Sequence, residues 1–160
     1  MVPGLLQTHP YATAPLSAIS TFQGTPNDAA DAAARLDRSR VIYEGNHRFV
    51  LLAEEAVLRY RIGDPEVMAG RLGKLLELMS LPSVAFGIIP QTAQRAIWPL
   101  ETFMVFDADR VLVETLSAEI AITRPSEIAV CAKAFGELQQ LAVFGAPARA
   151  LIRAVIEALG

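Results

Sequence analysis

Arg48-Phe-Val-Leu-Leu-Ala53, then Pro65-Glu-Val-Met-Ala-Gly-Arg-Leu-Gly-Lys-Leu-Leu-Glu-Leu-Met-Ser80, then Ser83-Val-Ala-Phe-Gly-Ile-Ile-Pro90 is the stretch that decides how the rest of this chain is read. Its two flanks are short, β-branched or aromatic, and bounded by turn residues, so both are predicted to be buried strands. Between them Met68, Leu72, Leu75, Leu76 and Met79 recur at helical spacing and make one apolar stripe. Asp64 is placed to cap that helix, and Pro65 stands at its first position, where a missing N–H does no harm. Strand, helix of about four turns and strand make a βαβ unit with an expected right-handed crossover.

Toward the N-terminus, Thr8 and Pro10 open a short helix through Tyr11, Pro15, Leu16, Ile19 and Phe22, ended by Gly24. Thr25-Pro26-Asn27-Asp28 starts an Ala-rich second helix running to about Tyr43. Asp28 and Asp31 stand near its positive end, and Arg35, Arg38 and Arg40 near its negative end. Glu44-Gly45-Asn46 is a turn, and Glu54 to Tyr60 is expected to form a short helix.

Toward the C-terminus, the irregular stretch from Gln91 to Pro99 holds the only tryptophan, Trp98. A hairpin follows, Glu101 to Asp107 and Arg110 to Leu116, turning at Ala108-Asp109 so that Asp107 pairs with Arg110. On that register Met104, Phe106, Val111 and Val113 share one face, and Glu101, Phe103, Val105, Leu112, Glu114 and Leu116 the other. Glu119 to Thr123 adds an edge strand. Pro125 opens a long helix with Ile128, Cys131, Ala132, Phe135, Leu138 and Ala142 on one stripe. Gly145 and Pro147 break it, and a last helix carries Leu151, Ile152, Val155 and Leu159. The expected fold is α/β (α+β): one domain over residues 1–160, with a central mixed sheet holding the βαβ unit and the hairpin, packed by N-terminal and C-terminal helices.

Composition limits what such a domain can do. At 160 residues and 52% hydrophobic, the chain can bury a sizeable core and is too apolar for disorder. It has no uninterrupted apolar run long enough for a membrane span, and its start lacks a basic leader region, so a cytoplasmic protein is expected. One cysteine excludes an intramolecular disulfide. Net charge is −3, and the cluster of Arg35, Arg38, Arg40 and Arg48 is interrupted by Asp37 and Glu44. A sequence-independent grip on DNA needs many phosphate contacts from one basic face, so no direct nucleic-acid binding by this chain is expected.

Few residues are placed to carry chemistry. Glu55, with Glu54, stands at the end of the first strand, where crevices of open α/β sheets fall. It either meets a ligand, as hydrogen-bond acceptor or base, or caps a short helix. Glu101 and Glu114 are diagonal neighbours on the register above, about 7–8 Å apart. Paired carboxylates in apolar surroundings separate each other's pKa values, as acid–base catalysis requires, unless solvent or an arginine such as Arg95 or Arg124 neutralises them. The loop holding Trp98 leaves the same end of the parallel pair as Glu55, so the two are expected to approach. Trp98, Arg95, Phe103 and Glu55 are therefore the ligand-binding candidates, and Glu55, Glu101 and Glu114 the catalytic ones if the chain is an enzyme. The bland alternative is that Trp98 plugs a sheet edge.

His9 and His47 have no metal spacing, Cys131 falls on a core stripe, and no phosphate loop or nucleophile elbow occurs, so no metal or cofactor is expected. Gly70 and Gly73, inside the central helix and opposite its core stripe, cost roughly 2 kcal/mol against alanine. Either drift put them there or a partner, a second copy or a ligand approaches that face, which would make it a homodimer contact.

Val2-Pro-Gly-Leu-Leu-Gln-Thr8 with Tyr11-Ala12, Glu55-Ala-Val-Leu58, Gly63-Asp-Pro-Glu-Val-Met68, Leu72 to Leu78, Val84 to Pro90, Phe103 to Phe106 and Val113-Glu-Thr115 occur in this order over nearly the whole chain. Together they resemble the C-terminal domain of WhiJ-like, Scr-type regulators of actinobacteria, which normally follows an Xre-type helix-turn-helix. The resemblance implies an antitoxin-like regulatory domain that senses an apolar small molecule or a small partner protein, and it supplies no catalytic residues. There are two departures. The helix-turn-helix is not in this sequence, and Gln91-Thr-Ala-Gln-Arg-Ala-Ile-Trp-Pro99 replaces a glycine-containing loop of the family. A ligand- or partner-sensing domain is the leading expectation. The alternative is a stand-alone, cofactor-free cyclase or isomerase of natural-product biosynthesis descended from it, needing only an apolar cavity, a carboxylate and an aromatic wall.

Overall fold

The computed structural model describes residues 40–61, 64–98, 100–115 and 117–159. The two N-terminal helices expected before Tyr43 lie outside them, apart from a 3-10 turn at Arg40–Ile42. The described residues divide into two compact units: those of residues 1–91 with 143–160, and residues 92–142.

The first unit is built on the βαβ stretch. Strand β1 (Phe49–Glu54) pairs in parallel with β2 (Val84–Ile89), Phe49 opposite Val84 and Glu54 opposite Ile89. The connection carries a short helix α1 (Glu55–Arg59) and the central helix α2 (Pro65–Leu78). The Asp64 carboxylate accepts the Val67 N–H at 2.9 Å, and Pro65 occupies the first turn, as the sequence leads one to expect. Met68, Leu72, Leu75 and Leu78 are buried, while Leu76 and Met79 pack at the margin of the core. The buried face has one member that is not apolar, Arg71, which is 0% exposed.

After the second unit the chain returns beside β2. Val143 exchanges both backbone hydrogen bonds with Ile88, at 2.8 and 3.0 Å, in an antiparallel bridge. The last helix of the chain, α4 (Gly145–Glu157), then buries Ala148, Ile152 and Val155 with Leu72, Leu75 and Phe86. Phe144 lies so close over Gly87 that a Cβ there would stand 2.6 Å from its Cζ. Only glycine fits under that ring. Arg149 on α4 donates to the Leu76 carbonyl and to Ser80 Oγ, both at 3.0 Å, and so satisfies the C-terminal end of α2 from another element.

The second unit is an antiparallel sheet, β3 (Thr102–Phe106), β4 (Arg110–Glu114) and β5 (Glu119–Ile122), in that order. One helix, α3 (Pro125–Leu141), belongs to it. The expected single mixed sheet is thus two sheets, although every strand in it forms and the α+β class stands. The hairpin register also differs by one residue. Phe106, not Asp107, pairs with Arg110, and Phe103 pairs with Val113. The turn is longer than expected: Asp107 takes a left-handed conformation (φ 49°), and the Asp109 N–H donates to the Phe106 carbonyl at 3.0 Å. Aspartate tolerates that conformation better than most residues. Because strand side chains alternate, the slip turns β3 over. Phe103 and Val105 therefore join Val111 and Val113 on the face that packs against Ile128 and Cys131 of α3, while Met104 and Phe106 are exposed on the other.

The helix α3 ends at Leu141, before the expected break at Gly145 and Pro147, because Ala142 and Val143 are extended. Among the described residues no helix is long and apolar enough to cross a membrane.

Candidate functional site

The ends of β1 and β2 meet as parallel pairing requires. Glu55, with a side chain 12% exposed, opens α1; its Oε2 accepts the Gln91 N–H at 3.0 Å, and its Oε1 lies 3.5 Å from Arg59 Nη2. The carboxylate therefore holds the first residue of the Gln91–Pro99 stretch to the first unit. This is a structural use of a group proposed above as a base or ligand acceptor.

Two of the ligand-binding candidates, Trp98 and Phe103, meet at an open depression of about 350 Å³ in the second unit. Its walls include Ile97, Trp98, Leu100, Glu101, Phe103 and Leu138, with two alanines between them. The segment before β3 supplies Trp98 and Glu101, and the strand supplies Phe103. Phe103 is held edge-on to Phe135 of α3, with ring centroids 6.4 Å apart and planes at 80°. Trp98 is 63% exposed and Leu100 80%, so the indole does not plug a sheet edge as the bland alternative would have it.

Arg95 is half-buried in the same segment and is not part of the described wall. Glu101 and Glu114 are not a pair. Thr102 stands opposite Glu114, so strand alternation puts Glu101 on the side of Phe103 and Glu114 on the side of Met104. The register does not bring them together as diagonal neighbours, and the one-residue difference in turn length is the cause. Among the described residues no group of three or more His, Cys, Asp or Glu side chains is placed to hold a metal ion.

With this geometry in hand, comparison with protein families shows a match to a domain of unknown function, DUF5753, over residues 1–154. The chain belongs to the DUF5753 family. The match spans both compact units of this DUF5753 domain, so the depression and the parallel core belong to one family unit of sequence. No curated protein and no solved structure matches the chain.

Sequence reasoning missed Arg71 in the DUF5753 core. Its Nη2 donates to the carbonyls of Val57 and Leu58, at 3.0 and 3.1 Å, near the end of α1. A five-residue helix such as α1 leaves its last carbonyls unsatisfied, and the guanidinium fork meets two of them. The signal was the spacing: Arg71 stands three residues after Met68 and four before Leu75, on the apolar stripe itself.

Proposed function

We propose that this DUF5753 chain is a ligand-sensing regulatory domain, cytoplasmic and without chemistry of its own. In this reading it corresponds to the C-terminal domain of WhiJ-like, Scr-type helix-turn-helix regulators. The observation that carries it is the depression walled by Trp98, Leu100 and Phe103 in the second unit. Its volume of about 350 Å³ lies at the small end of the range for small-molecule sites. The net charge of −3 supports a role in which DNA contact is made elsewhere. The cyclase or isomerase alternative, which needs an apolar cavity, a carboxylate and an aromatic wall, is left with Glu101 alone in place of the Glu101–Glu114 pair. The partner-protein form of the reading rests on the exposed face of α2 at Gly70 and Gly73, where an added methyl would meet no described atom within 4 Å.

Trp98 is the single tryptophan, so its fluorescence reports the depression without labelling. A panel of apolar metabolites titrated against the intact protein is expected to include compounds that shift or quench the emission saturably. Phe103→Ala should weaken that response while the circular dichroism spectrum is kept. A response from no compound, or one untouched by Phe103→Ala, overturns the reading.

A further inference from the structure

We infer that the depression takes an organic cation, a small molecule with an ammonium group on a compact apolar body. This rests on the ligand-sensing reading and names the chemical class of its ligand.

Glu101 is the charged residue in the described wall, which is otherwise apolar or aromatic. It lies just before β3 on the same face as Phe103, and the exposed indole of Trp98 stands three residues before it. Among the described residues no lysine or arginine is ion-paired with Glu101; the arginines nearest in sequence are Arg95, outside the wall, and Arg110, which stacks on Phe106 4.8 Å away. The carboxylate is therefore available to a ligand's charge.

Each class of ligand meets this wall differently. An anion would be repelled by Glu101 and find no described cation to bind it. A neutral apolar ligand would gain nothing from the carboxylate. A cation compensates the carboxylate and also lies against the negative face of an indole, the arrangement by which aromatic cages hold quaternary ammonium groups. Phe103 adds a second ring whose orientation is fixed by Phe135, so the wall needs little ordering on binding.

The test uses three probes of nearly one shape and different charge: choline, 3,3-dimethylbutan-1-ol and 3,3-dimethylbutanoate, each titrated against Trp98 fluorescence of the intact protein at constant ionic strength. Choline is expected to bind about fivefold or more tighter than the alcohol, and the butanoate weakest. Glu101→Gln should remove choline's advantage, whereas Glu114→Gln, on the opposite face, should leave it. Both sites are exposed, so both variants are expected to keep the wild-type circular dichroism. Equal or tighter binding of the alcohol or the butanoate overturns the cation inference and leaves the sensory reading standing. So does loss of choline's advantage in Glu114→Gln but not in Glu101→Gln. Silence from all three probes alongside a response to other compounds overturns the inference alone, and silence from every compound overturns both.

Discussion

Glu55 Oε2 accepts the Gln91 backbone N–H at 3.0 Å, tying the residue after β1 to the chain just past β2. Parallel strands have no tight turn to fix their register, so a side-chain link across their ends has real positional value. Glu55→Ala is expected to cost about 1 kcal/mol, below the usual range for a bond to a charged group because Gln91 is exposed. Glu55→Gln, which keeps an acceptor, should cost less than half of that. Urea midpoints at unchanged m-value measure both.

Arg71→Met should destabilise by about 2–3 kcal/mol, because it strands the Val57 and Leu58 carbonyls in a dry interior. Arg71→Lys should not rescue it, since an ammonium lacks the planar fork. A variant as stable as wild type would show that α1 finds other donors. Hydrogen exchange at α1 should rise in both variants.

Gly87→Ala is expected to lose about 1–3 kcal/mol by overpacking against Phe144 and Leu52. Phe144→Leu made in the same chain should return part of that loss. A double-mutant cycle with zero coupling would place the strain elsewhere.

Gly70→Ala and Gly73→Ala should each stabilise by about 0.5–1 kcal/mol, since helix propensity gains and nothing described is met within 4 Å. If the face receives a partner or a second copy, Gly70→Leu will weaken association in sedimentation without lowering the melting temperature. Unchanged association removes that role from the glycines.

The parallel unit was legible because several independent signals agree there. Asp64, Pro65, the leucine spacing and the β-branched flanks all specify the same three elements. Arg71 escaped because a charged residue is ordinarily assigned to solvent; only its place on the stripe argued otherwise. The hairpin failed for a different reason. Ala108-Asp109 is a poor two-residue loop, which ordinarily wants Asn-Gly or Asp-Gly, and that weakness pointed to a longer turn. One residue of turn length then decided which carboxylates face each other. The concavity around Trp98 was legible only as an association of types, because no periodicity governs the residues before β3.

Val143 bonds Ile88 on both sides, so the chain comes back to β2 almost where it left. Residues 92–142 are therefore an insertion whose two ends leave and rejoin the first unit at neighbouring points of its backbone. Lengthening or replacing such an insertion alters the closure entropy only logarithmically. On the ligand-sensing reading proposed for this chain, specificity can then change without altering the residues of the parallel core. Proteins built on the same core would be expected to differ most between Gln91 and Val143.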